Sequence, residues 1–149
     1  MISLICEKYK ITNYTINDDG SIDVNGNVWL YNKGLTEIPL TFNKVTGDLN
    51  CGYNRLTSLK GSPRWVGGWF SCEDNQLTSL EFSPDYIGSD FYCRKNKLTD
   101  NYCDSEIGGS FYTSLEQDGL ILDYDIVTNY NEWRKLYKRK LILNDIFNM

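Results

Sequence analysis

CGYNRLTSL (51–59), CEDNQLTSL (72–80) and CRKNKLTDN (93–101) repeat one pattern at a spacing of 21 residues. A fixed period of about 20–50 residues marks an architecture of stacked repeats, in which each unit buries its apolar side against its neighbours. These three lines therefore decide the fold. Working outward, the same period reaches further in both directions. Val24, Val45, Val66, Ile87 and Ile107 form one column; Val28, Leu49, Phe70, Phe91 and Phe111 form a second. Leu30, Cys51, Cys72, Cys93 and Thr113 make a third, Leu35, Leu56, Leu77 and Leu98 a fourth, and Ile38, Leu59 and Leu80 a fifth.

One coil follows from these columns. Alternation such as Leu49-x-Cys51 puts two apolar side chains on one face of a short strand, and like columns of adjacent coils then stack about 4.8 Å apart as a parallel sheet. The Leu56 and Leu59 columns close the core after the chain turns. Gly26, Gly47, Gly68 and Gly109 stand two places after the first column, where a side chain would obstruct a turn. Asn54, Asn75 and Asn96 each follow a Cys by three residues. A buried amide needs partners, so this column is expected to point inward and bond backbone groups of the turn and of the neighbouring coil.

The pattern resembles the leucine-rich repeat L-x-x-L-x-L-x-x-N-x-L, with Cys in place of the third leucine and a short repeat of 20–21 residues. The Thr-Ser-Leu tail with a following Pro (Pro63, Pro84), and the leader NYTINDDGSIDVNGNV (13–28), are similar to those of short-repeat proteins encoded by bacteriophages. The resemblance covers about 24–115. It implies a right-handed α/β solenoid of four to five coils, with a parallel sheet on one face that serves as the binding face. Two departures read as capping: Lys33 stands where later coils carry Asn, and Asn101 where a Leu is expected.

The ends supply separate caps within one structural domain. Residues 1–23 are expected to form an N-terminal cap, with a short helix from Ile2 to Tyr9 and a hairpin around Asn17-Asp18-Asp19-Gly20. Residues 24–115 are the repeats. Residues 116–149 are a C-terminal capping segment. There, Asn129 followed by Glu132 starts a helix reaching about Phe147, with Tyr130, Trp133, Tyr137 and Leu141 on the face that covers the last coil.

The totals exclude several functions. Histidine is absent from the 149 residues, which removes Ser-His and Cys-His nucleophiles and histidine metal sites. No apolar run reaches the roughly 18–20 residues of a membrane helix, and Met1 to Cys6 lacks the basic start of a secretory signal. A cytoplasmic location, that of the host if the chain is phage-borne, is the resulting expectation. The five cysteines then read as free thiols. Cys51, Cys72 and Cys93 lack the C-x₂-C spacing of zinc sites and fit core packing. Residues 15–26 match a calcium loop poorly, because Thr15 and Gly26 occupy the positions that need acidic oxygens. No metal, no cofactor and no catalytic residue is expected, and the chain reads as a non-enzyme.

The candidate site is the outward side of the strands. Trp29, Tyr31, Trp69, Tyr92 and Tyr112 are the expected anchors, with Asp48, Glu73, Asp90 and Arg94 between them. Aromatic and Arg residues dominate protein interfaces. A protein partner is therefore expected, a host protein by the phage resemblance, which the chain would inhibit or redirect, with host defence among the processes it would block; self-association is open. The rival site is the basic helix with Arg134, Lys135, Lys138 and Arg139. Residues 131–149 carry five basic and two acidic residues, a net +3, against −8 for the rest. Such a stripe grips phosphates or forms the solvated back of a capping helix, and the overall charge of −5 disfavours nucleic acid.

Overall fold

The structure, a computed structural model, describes residues 1–100, 102–117, 120–127 and 130–148, with the side chains of 115–117, 120–127 and 133 excepted. Asn101, Asn129 and the Trp133 side chain lie outside the described residues. Helix α1 (Ile2–Lys8) precedes the hairpin of β1 (Tyr14–Ile16) and β2 (Ile22–Val24). The coils follow with β3 (Val28–Trp29), β4 (Phe42–Val45), β5 (Leu49–Asn50), β6 (Trp65–Val66) and β7 (Phe70–Ser71). They continue through β8 (Tyr86–Ile87), β9 (Phe91–Tyr92), β10 (Glu106–Ile107) and β11 (Phe111–Gln117). Strand β12 (Leu120–Val127) and helix α2 (Tyr130–Phe147) complete the chain.

These elements make a β-solenoid of about 4 turns. One sheet runs β1-β2-β4-β6-β8-β10 and the other β12-β11-β9-β7-β5-β3. Pairing between coils is parallel and in step with the sequence period: Leu49 pairs with Phe70, and Phe70 with Phe91. A single sheet is therefore a correction to make. The Val45, Val66 and Ile87 column has its own strands, because the chain is extended on both sides of the bend at Gly67 and Gly68, and each side hydrogen-bonds to its copy in the next coil. A Cβ at Gly67 or Gly88 would collide with the carbonyl oxygen of Thr46 or Gly67, so glycine lets the bends of these coils stack closely.

The core is the set of columns read from the sequence. Leu49, Cys51, Leu56, Leu59, Val66, Phe70, Cys72 and their equivalents are buried, each large aliphatic or aromatic side chain stabilising by roughly 1.5–3 kcal/mol. The cysteines are free and buried, and burial pushes the Cys51 thiol up to about 12 and Cys72 well above its ordinary value. The Asn column points inward. Asn75 Nδ2 donates to the carbonyls of Cys51, Cys72 and Glu73, and its Oδ1 accepts from the Leu56 N–H at 2.9 Å. Each such Asn ties its coil to the preceding one. That explains Lys33, since the first coil has no coil before it to bind.

At the far end α2 replaces a missing coil. Tyr130 is buried over Phe111, with ring centroids 4.6 Å apart. Its hydroxyl accepts from the Cys103 N–H and donates to the Cys103 carbonyl. Asn131 does the same for Ile107, accepting its N–H at 3.1 Å and donating to its carbonyl at 2.9 Å. Asn131 thus satisfies part of the open edge at β10, which otherwise invites pairing with another chain, and Tyr130 satisfies the backbone three residues before it. Tyr137 stacks on Tyr102, whereas Leu141 stays partly exposed. The antiparallel β11–β12 pair was not expected from the sequence; β11 runs on past Thr113 and pairs with β12 in place of a further coil.

Candidate functional site

The outward side of the second sheet is built from the alternate residues of β3, β5, β7, β9 and β11, whose inward neighbours fill the core. Period-two alternation leaves Trp29, Asn50, Ser71, Tyr92 and Tyr112 facing away. The structure brings four of the expected anchors into one ladder. Trp29 meets Trp69 at 5.7 Å, Trp69 meets Tyr92 edge-on at 6.1 Å, and Tyr92 stacks on Tyr112 at 4.6 Å. The Arg94 guanidinium lies 5.2 Å over Tyr112 and ends the row. Trp29 and Trp69 belong to coils one and three. They touch because the coil between them carries only Asp48, Asn50 and Gly52 on this side, and Asp48 is folded down.

That fold-down belongs to a repeated device. Asn27 Oδ1 accepts the Asp48 N–H at 2.8 Å, Asp48 Oδ1 accepts the Trp69 N–H at 3.0 Å, and Asp90 Oδ1 accepts the Ser110 N–H at 2.7 Å. Each oxygen lies over a glycine of the next coil. A Cβ at Gly47, Gly68 or Gly109 would collide with Asn27, Asp48 or Asp90 respectively. The glycine column exists to admit these carboxamide and carboxylate rungs. One rung is absent: coil three has Trp69 in place of Asn or Asp, and coil four has Ser89 in place of Gly. The chain gives up a backbone cap at the point where it presents an indole.

The other expected residues fall into two groups. Tyr31 is 44% exposed and packs at 4.9 Å against Tyr53, a residue the sequence reading missed; its ring has Lys95 over it at 6.0 Å. Tyr53 sits at a positive-φ turn position, shared by Asn32, Asp74 and Lys95, that directs the side chain onto this face. Glu73 is half-buried beside this group. Burial raises its carboxyl, and the nearby Arg94 and Lys95 charges oppose the rise. Asp48 and Asp90 are committed to backbone N–H groups, and Asp90 also accepts from the Tyr92 hydroxyl at 3.0 Å. Burial first and this bond second push the Tyr92 hydroxyl up to about 12.

A second outward row, with its two rings half-buried, was also missed. Lys44, Trp65, Tyr86 and Glu106 occupy one register column of the first sheet. Lys44 lies 4.8 Å over Trp65, which stacks on Tyr86 at 5.5 Å. The signal lay in the residue preceding each of Val45, Val66, Ile87 and Ile107, which is outward only once a second sheet is recognised.

Two basic residues of the helix, Arg134 and Lys138, are occupied by the solenoid. Arg134 Nη1 donates to the Asp104 and Ser105 carbonyls. Lys138 bonds Asp104 at 2.9 Å, holding that carboxyl below its ordinary value, and lies over Tyr102. Lys135 pairs with Glu132 at 2.8 Å, while Arg139 is exposed. No described helix is long and apolar enough to cross a membrane. Compared with known protein families, with curated proteins and with solved structures, the chain shows no match.

Proposed function

We propose that the chain is a non-catalytic protein-binding module that holds its partner against the Trp29–Trp69–Tyr92–Tyr112 ladder. The observation that carries this reading is the broken rung. Repeat physics favours Asn or Asp at position 69 and Gly at 89, as in the coils on either side, yet the chain has Trp and Ser. Departures from a fold's own rule gather at functional positions, and a ladder of Trp, Tyr and Arg is the composition of an interface centre. Glu73, Arg94 and Lys95 beside the rings add charges of both signs, so the partner surface is one that offers apolar side chains with polar groups of both signs around them.

The finer reading rests on resemblance. The short 20–21-residue repeats with a Thr-Ser-Leu tail are similar to leucine-rich repeats carried by bacteriophages. On that basis the chain is a phage accessory protein that occupies a surface of a host protein and blocks or redirects it. A phosphate-gripping role for α2 has less support, because Arg134 and Lys138 already bond groups of the solenoid.

Capture from a bacterial lysate tests the reading. The wild type is expected to retain a protein that Trp69→Ala with Tyr92→Ala loses, with folding intact by circular dichroism. Equal capture by both would refute the assignment of the face.

A further inference from the structure

The repeat period carries Asp48, Asn50 and Gly52 of the second coil onto Asn27, Trp29 and Tyr31 of the first. At these places the backbone carbonyl points back toward the preceding coil. Asp48, Asn50 and Gly52 accept the N–H groups of Val28, Leu30 and Asn32, and Trp69, Ser71 and Glu73 accept those of Leu49, Cys51 and Tyr53. The amide at the first of these places points the same way, since the Asp48 N–H reaches Asn27 Oδ1 at 2.8 Å. The first coil has no coil before it. Among the described residues, nothing bonds the backbone N–H or carbonyl of Asn27, Trp29 or Tyr31, and all three are exposed.

The other ends of the two sheets are treated differently. Strand β1 lies antiparallel on β2, β12 lies antiparallel on β11, and Asn131 bonds Ile107 of β10. Edge strands are commonly blunted by a charge or a proline. Asn27-Val28-Trp29-Leu30-Tyr31 carries neither, and Val28, Trp29 and Tyr31 are residues that favour strands. A second solenoid does not suit this end. Strand β1 already occupies the next layer on the first sheet, and Cys6 and Ile11 of the N-terminal cap pack into the core, so the end is not a bare coil on which another copy could stack. A single strand needs only about 4.8 Å beside β3.

We propose that β3 takes up an extended segment of the partner protein as an added strand, antiparallel to β3 as β1 is to β2. Residues of the segment opposite Asn27, Trp29 and Tyr31 exchange backbone hydrogen bonds with them. The side chain opposite Trp29 then lies on the outward face beside the indole and lengthens the Trp29–Trp69–Tyr92–Tyr112 row by one place. An aromatic or long aliphatic residue suits that position. The backbone bonds supply affinity that tolerates many sequences, and Trp29 selects the side chain. The edge is continuous with the strand face, and the proposal rests on the reading of that face for the partner's being a protein.

Selection of random linear heptapeptides on the immobilised full chain tests the proposal. Recovered peptides are expected to share an aromatic or long aliphatic residue flanked by strand formers. Bound at about ten times the dissociation constant, they are expected to slow deuterium exchange of the Asn27, Trp29 and Tyr31 amides about tenfold. N-methylation of the peptide residue opposite Trp29 is expected to weaken binding about tenfold, whereas its two neighbours, whose N–H groups point away, are expected to tolerate it. Tyr31→Pro is expected to weaken binding more than Tyr31→Ala, because both lose the ring and only proline loses the donor. An outward N–H on an edge strand is a place that accepts proline, and the unfolding midpoint checks the fold. Trp69→Ala with Tyr92→Ala is expected to keep the same exchange pattern. Recovery of no peptide would overturn the proposal, as would binders indifferent to N-methylation at every position or protection falling on other amides. A dimer of the chain that is lost in Tyr31→Pro would overturn it too, by naming a second copy as the occupant. Failure here, with partner capture still lost in the Trp69 and Tyr92 double variant, would refute the added strand and leave the strand-face reading standing.

Discussion

The rung at Asp48 and Gly68 and the missing rung at Trp69 and Ser89 lie one coil apart on the same side of the same solenoid. In the first, a carboxylate caps a backbone N–H and a glycine makes room for it. In the second, an indole reaches outward to touch two other rings, and the residue beneath can afford a Cβ. Inside the three central coils nothing of the kind happens: Cys51, Cys72 and Cys93, and Asn54, Asn75 and Asn96, repeat unchanged, and the columns depart only in the end coils, at Leu30, Thr113 and Lys33. Uniform columns serve the fold. On the reading proposed above, a column that breaks its own rule, and loses a hydrogen bond by doing so, serves the partner.

The largest test of the uniform interior is alkaline. Burial raises the thiols of Cys51, Cys72 and Cys93 above their ordinary value. The folded state therefore keeps protons that the unfolded state releases. Stability is fully present below pH of about 8.5, the unfolded thiol value, and falls as pH rises beyond it, by about 1.4 kcal/mol per unit for each thiol. Urea titrations at pH 7, 9 and 10 check this, with Cys72→Ala flattening the slope.

Removing one inner amide comes next. Asn75→Ala strands the Leu56 N–H and takes one of two donors from each of the Cys51, Cys72 and Glu73 carbonyls, and a loss of about 1–3 kcal/mol is expected by chemical denaturation, the cost of one unmet buried group. On the outer side the contrast sharpens. Gly68→Ala would drive a methyl group into Asp48 and is expected to cost about 1–3 kcal/mol, whereas Ser89→Ala, under the missing rung, should stay within about 0.5 kcal/mol. The smallest effect is local. The Asp90 amide lacks the side-chain cap that the Asp48, Trp69 and Ser110 amides have, and should exchange with deuterium faster than those three. Trp69→Asp with Ser89→Gly rebuilds the rung and should slow it.

Much of this was legible because the period is strict. Once the Cys lines are aligned, the parity of each strand separates Leu49 and Cys51 from Asn50, so core and outward face follow together. The second sheet was not legible, because Val45 and Val66 read equally well as core residues of an irregular return, and only coil-to-coil hydrogen bonds distinguish the two. The rungs escaped for a related reason. An Asn or Asp at 27, 48 and 90 looks like a solubilising surface residue until its oxygen is seen over Gly47, Gly68 and Gly109. Asp48 and Asp90 consequently looked like recognition groups, while the structure commits both to backbone N–H groups. Tyr53 and the β11–β12 pair depend on a turn conformation and a reversal that no repeat position announces.

The most direct test of the account is affinity capture by the strand face with Trp69→Ala and Tyr92→Ala introduced together. The account predicts loss of the captured protein, an unfolding midpoint that still reports a cooperative fold, and retained capture in a control carrying Trp65→Ala on the opposite sheet. Capture that survives the double substitution, or that fails only with Trp65→Ala, would contradict it.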